Sequence, residues 1–75
     1  MLNIAVDTIK TGQNLEKIRK SKGLPVYTVA KELGLQSKQA VYKWERGDCL
    51  PRVDHFYGLM QLYQVSIEDI LRFYE

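Results

Sequence analysis

Three glycines, Gly23, Gly34 and Gly47, cut the chain into apolar stripes that are too short for anything but small packed helices. Val26, Val29, Ala30 and Leu33 recur at i, i+3, i+4 and i+7, one face of an amphipathic helix, and Gly34 follows at once. Ala40, Val41 and Trp44 form a second inward stripe that Gly47 closes, with Ser37 as the expected N-cap. Gly23 stands where left-handed geometry usually ends a helix, and Pro25 suits the first turn of the next one.

The same pattern extends to both ends. Asp7 or Thr8 caps a first helix running to about Lys22, with Ile9, Gly12, Leu15 and Ile18 inward and Lys10, Lys17, Lys20 and Lys22 outward. Beyond the Asp48–Pro51 loop, Val53, Phe56, Leu59, Met60 and Tyr63 mark a fourth helix, and Asp54 near its start complements the macrodipole. Ser66-Ile67-Glu68-Asp69 has the capping-box pattern and opens a fifth helix, with Ile67, Ile70, Leu71 and Tyr74 on one side. Only Leu2–Val6 shows strand-like alternation. The expectation is therefore all-α: one compact five-helix domain over residues 1–75, with a short N-terminal arm at 1–7.

With 75 residues the core is small, so stability must come from close packing, helped by a partner subunit if there is one. The single cysteine, Cys49, forms no internal disulfide and no zinc site, and His55 stands alone without ligand spacing. No apolar run reaches the roughly 18 residues of a membrane span, and the N-terminus lacks a signal-peptide pattern. A reducing cytoplasmic setting is the expectation. No catalytic set, paired-carboxylate cleft or phosphate-cradling glycine loop is present, so neither catalysis, a metal nor a cofactor is expected.

Charge is divided along the chain. Residues 1–52 carry ten Lys/Arg against five Asp/Glu, while residues 53–75 carry Arg72 against four acids. Such a split suits a basic face for a polyanion and an acidic, apolar end for something else. Helices two and three, joined by a tight turn of about Gly34–Ser37, have the helix-turn-helix plan, whose second helix can enter the DNA major groove.

Particular residues then carry a resemblance. Leu15-x-x-Ile18-Arg19-x-x-Lys22-Gly23-Leu24, Val29-Ala30-x-x-Leu33-Gly34, Val41-Tyr42-Lys43-Trp44-Glu45-Arg46-Gly47, Leu50-Pro51 and Val65-Ser66-Ile67-Glu68-Asp69-Ile70-Leu71 together resemble the lambda-repressor and Cro-like (XRE-type) helix-turn-helix family, over about Lys10–Leu71. The resemblance implies a helix-turn-helix at about 25–46 and a transcriptional regulator, in the first instance a repressor. Such a protein binds a double-stranded DNA operator, usually as a homodimer on two half-sites. It further implies that the third helix is the recognition helix, with Lys38, Gln39, Tyr42 and Lys43 toward base edges and Ser37, Tyr27 and Arg46 toward the backbone. Gln suits adenine N6/N7 and Lys suits guanine O6/N7, which favours base reading by Gln39 and Lys43. Lys38 and Tyr42 stand evenly between base contact and solvated surface. Arg19 and Glu45 match the family's structural ion pair between the first helix and the recognition helix.

The sequence departs from the family pattern at the start of helix two, where Val26 replaces the usual Gln and Pro25 the usual capping Ser/Thr. It departs again at Arg52, and in one extra residue within Leu35–Ser37. Dimer contacts are open between the helix-five end (Ile67, Leu71, Phe73, Tyr74) and the Leu2–Val6 arm; Phe73 and Tyr74 could equally complete the monomer core. The alternative function is a protein-interaction module, such as an antitoxin-like helix-turn-helix partner, whose binding would not weaken steeply with salt.

Overall fold

The computed structural model describes residue 2 and residues 4–74. Met1, Asn3 and Glu75 lie outside the described residues, so the arm expected at 1–7 is described only at Leu2 and from Ile4 onward. The described residues form α1 (Thr8–Ser21), α2 (Val26–Glu32), α3 (Gln39–Arg46), α4 (Val53–Tyr63) and α5 (Ile67–Ile70). The glycines at 23, 34 and 47 end their helices with φ of 69°, 71° and 82°.

α1 is capped by Asp7, whose carboxylate accepts the Lys10 N–H at 3.0 Å. Its buried face is Thr11, Gly12, Leu15 and Arg19. Ile9 corrects the expected inward stripe: it is 56% exposed, because the end of α3 meets α1 backbone to backbone at this point. A Cβ on Gly47 would lie 2.7 Å from the Ile9 Cα, so residue 47 needs both the left-handed conformation and the absence of a side chain.

The core gathers one or two residues from each helix: Leu15, Val26, Val29, Ala30, Val41, Trp44, Leu59, Tyr63 and Ile70. The Trp44 ring lies tilted against His55 of α4 at 5.7 Å between centroids. Val53 does not join the stripe of α4 as its spacing suggests. It is 87% exposed, since nothing covers the first turn of that helix. Pro25 precedes α2 as its extended N-cap residue rather than entering the first turn. Val26 turns into the core, so the departure from the family pattern at this position replaces a surface polar group by a packed methyl pair.

The expected fifth helix is a single turn. Leu71 turns extended (φ −72°, ψ 140°), so Leu71 and Tyr74 do not share a helical face with Ile67 and Ile70. The cause is long-range: Asp7 N–H donates to the Arg72 carbonyl at 2.8 Å and Tyr74 N–H to the Ala5 carbonyl at 3.0 Å, with Val6 and Phe73 bridged antiparallel. Buried Thr11 completes this ladder, its hydroxyl accepting Arg72 N–H at 3.0 Å and donating to the Arg72 carbonyl at 3.3 Å. Asn14 donates to the carbonyls of Asp69 and Ile70, satisfying the C-terminal end of α5. At the other end, the Asp69 carboxylate accepts the Ser66 N–H at 2.9 Å, as its place in the capping box requires.

Gly12 tests the closeness of α1 and α3. Replacing a mid-helix glycine by alanine ordinarily stabilises by about 0.5–1 kcal/mol. Here the new Cβ would lie 2.6 Å from the Glu45 carbonyl oxygen, a backbone atom that cannot swing aside. Overpacking should prevail, so Gly12→Ala is expected to lower stability by about 1–3 kcal/mol in denaturant titrations followed by Trp44 emission. An unchanged or raised midpoint would show that the two helices are not in backbone contact.

Candidate nucleic-acid interface

α3 has two unlike faces. Val41 and Trp44 are 1% and 6% exposed and pack inward, with Ala40 half-buried beside them. Gln39, Tyr42, Lys43 and Arg46, at i, i+3, i+4 and i+7, share the solvent side, where a helix in a groove would present them together. Its one acid, Glu45, is withdrawn from that side by Arg19. The Arg19 Nε donates to Glu45 Oε2 at 2.7 Å and Nη2 to Oε1 at 3.1 Å, while Nη1 donates to the Leu24 carbonyl at 2.9 Å. Both side chains are at most 10% exposed. The hydrogen bond to Glu45 outweighs burial and holds the Arg19 guanidinium above its ordinary pKa, and burial pushes the phenol of neighbouring Tyr63 up as well.

The turn before α3 folds in two steps. Gly34 and Leu35 N–H groups close the end of α2 on the Lys31 and Ala30 carbonyls at 3.1 and 2.9 Å, and the Leu35 side chain packs against the core. The longer turn is therefore anchored by an apolar residue and not extruded as a loose bulge. Ser37 is not the N-cap as expected. Lys38 holds that position in αR geometry without a side-chain cap, and Ser37 Oγ accepts the Gln39 N–H at 3.3 Å from outside the helix. Exposed Tyr27 of α2 meets Lys31, Gln36, Ser37 and Lys38 around one shallow depression. Two of the residues expected near phosphates, Tyr27 and Ser37, are thus neighbours in space, and Lys31 and Gln36 join them unforeseen by sequence spacing.

Arg46 is exposed at the end of α3, and its Nε and Nη2 both donate to Asp48 Oδ2, at 3.0 and 2.9 Å. Sequence reasoning missed Asp48. Its signal is an Arg-x-Asp spacing across the stop glycine, repeated at Arg52 and Asp54, whose pair closes at 2.9 Å. Hydrogen bonding to Arg52 holds the Asp54 carboxyl below its ordinary range. Lys38 and Lys43 form no ion pair among the described residues. Elsewhere, Val6, Leu50, Pro51, Val53, Phe56, Tyr57, Met60, Ile67 and Leu71 line an open groove of about 330 Å³ with almost no polar surface and no α3 residue.

Two packed helices, a tight turn and a second helix with one pinned face and one free basic face define a helix-turn-helix DNA-binding unit. A helix-turn-helix family signature matches residues 15–70, and the chain belongs to that XRE-type family of DNA-binding transcriptional regulators. Among solved structures, it is similar to the restriction-modification controller protein C.AhdI from Aeromonas hydrophila, with a TM-score of 0.76 and 28% identity. The match covers 85% of this chain and 96% of that one. No curated protein matches the chain at a comparable level. No helix among the described residues is long and apolar enough to cross a membrane, and they contain no metal-ligating cluster of His, Cys, Asp and Glu.

The buried ion pair has a measurable consequence for the orientation of α3. Arg19→Ala and Glu45→Ala should each destabilise by about 3–5 kcal/mol, since either leaves a buried charge unpaired. The double variant should lose distinctly less than the sum of the two. A coupling energy near zero in that cycle would contradict a shared structural role.

Proposed function

We propose that the chain is a sequence-specific repressor that binds operator DNA as a homodimer, with residues 25–46 as its helix-turn-helix and α3 in the major groove. The observation that carries this reading is the exposed face of Gln39, Tyr42, Lys43 and Arg46 on a helix whose other face is fixed to the core. Gln39 and Lys43 read base edges, Gln39 through a bidentate contact to adenine and Lys43 through guanine acceptors. Lys38 and Tyr42 contribute at the same groove floor. Tyr27 and Ser37, together at the α2–α3 depression, and Arg46, at the far end of α3, grip phosphates and set register. Occupancy of an operator is by itself enough to exclude a competing protein, hence repression as the output. The similarity to a controller protein supports a regulatory role.

The second subunit docks on the apolar groove between the α4 start and the α5 region, where Leu50, Val53, Tyr57 and Ile67 are 37%, 87%, 59% and 45% exposed. A surface this apolar is costly to leave in water and suits a self-complementary two-fold contact. Dimerisation then places two α3 helices on half-sites about 34–36 Å apart or a multiple of that.

A duplex selected from a random pool, compared with a scrambled duplex across a salt series, tests the assignments. Gln39→Ala or Lys43→Ala should cost about 1–3 kcal/mol on the selected duplex and relax preference at particular base pairs. Arg46→Ala should weaken both duplexes alike and lower the salt slope by about 1 per subunit. A selected-to-scrambled ratio unmoved by Gln39→Ala and Lys43→Ala would remove α3 from the groove. Salt-insensitive binding would favour a protein ligand instead.

Val53→Asp addresses the dimer. Its acid suits the first turn of α4, so the fold should survive, while sedimentation should shift to monomer and affinity for two half-sites should fall more than for one. A dimer unaffected by this change would place the interface elsewhere.

A further inference from the structure

The guanidinium groups of this chain are all engaged. Arg19 is held by Glu45 and the Leu24 carbonyl, Arg46 by Asp48, Arg52 by Asp54, and Arg72 by the carbonyls of Glu68 and Leu71. On the α3 face the free positive charge therefore belongs to Lys38 and Lys43, while Arg46 is half of a neutral pair. The partner of Arg46 is also firmly placed. Asp48 N–H donates to the Lys43 carbonyl at 3.0 Å and Gly47 N–H to the Trp44 carbonyl at 3.1 Å, so the left-handed closure at Gly47 fixes the backbone that carries the carboxylate.

A carboxylate and a phosphate present the same kind of acceptor to a guanidinium fork. We propose that Asp48 is a specificity-determining residue that acts as an internal stand-in for phosphate, withholding Arg46 from DNA until α3 is seated in its groove. This rests on the assignment of Arg46 to a phosphate in the preceding section. A protein loosely held on non-specific DNA keeps its phosphates at variable distances, and a diffuse attraction of that kind is screened by salt. It does not displace a carboxylate oxygen that already accepts two N–H bonds at 3.0 and 2.9 Å. A seated α3 brings one phosphate to hydrogen-bonding range at a fixed angle, and the fork exchanges acceptors. Asp48 thus removes one cation from the non-specific mode while leaving it available to the specific one. Because the pair is exposed on both sides, with side-chain exposures of 58% and 53%, the exchange needs no unfolding.

The test is Asp48→Asn, which keeps shape and a hydrogen-bond acceptor but removes the charge, measured on the selected and scrambled duplexes over a salt series. Because exposed pairs are weak, the expected gain on the scrambled duplex is about threefold at low salt. Its salt slope should steepen by about 0.9 per subunit as Arg46 joins the phosphate contacts. The selected duplex should gain less, so the ratio between the two falls. With Arg46→Ala already in place, Asp48→Asn should have no effect on either duplex. The inference is overturned if the scrambled affinity and slope stay unchanged, if both duplexes tighten equally, or if the gain persists without Arg46. Failure here is distinct from failure of the broader reading: Arg46→Ala that leaves scrambled binding intact removes the phosphate role itself. A loss with Arg46→Ala, combined with no response to Asp48→Asn, removes only the proposal for Asp48. Thermal melts of each variant, expected within about 0.5 kcal/mol of the parent, separate binding changes from folding changes.

Discussion

One face of α1 holds the other elements in place, and its most constraining contact is the junction with α3. Gly12 lets the two backbones touch at the Trp44 and Glu45 carbonyls, and two turns further along Arg19 clasps the Glu45 side chain. The contact fixes distance at one end and rotation at the other. From the same face Thr11 and Asn14 take up the backbone groups of residues 69–72, and Arg19 also holds the Leu24 carbonyl where α2 is entered. A small core cannot supply many kilocalories, so satisfied polar links between sequence-distant segments carry an unusual share of the specification. No fully buried side-chain polar atom among the described residues lacks a partner.

The helices were legible because their signals are local. Stop glycines, the Asp7 cap and the 3.6-residue stripes each act within one or two turns, and they locate the five elements to within a few residues. The errors share a physical origin in contacts that have no local signature. Nothing in the spacing of Ile67, Ile70, Leu71 and Tyr74 reveals that Arg72 will be paired to Asp7 and Thr11, about sixty positions away. Ile9 and Val53 keep an apolar period yet lie at positions that no neighbouring element covers. Periodicity shows which residues could face a core, and tertiary packing decides which of them do.

The candidate site divides in the same way. The exposed quartet of α3 follows from helical spacing alone, and the inward turn of Glu45 was suggested only by family resemblance. The meeting of Tyr27 with Ser37 depends on how the lengthened turn folds, with Leu35 packed down and Lys38 at the helix start. Asp48 escaped notice because an isolated acid beside a basic helix looks like ordinary surface charge. Its meaning comes from the closure at Gly47, which aims it back at Arg46.

The distribution of cation types follows a physical logic. Arginine, with a planar fork and weaker hydration, suits fixed two-point contacts to carboxylates, and here the guanidinium groups at 19, 46 and 52 each meet one. Lysine is a compact, strongly hydrated charge on a flexible stem, better kept free and committed late. Lys38 and Lys43 are of that kind on the face proposed to meet DNA. A protein that must leave wrong sequences quickly gains nothing from a face of unrestrained arginines, since every free cation tightens all duplexes alike. Pairing Arg46 to a rigidly placed carboxylate and leaving lysines and Gln39 to meet the bases keeps the non-specific component small without weakening the contacts that distinguish one sequence from another.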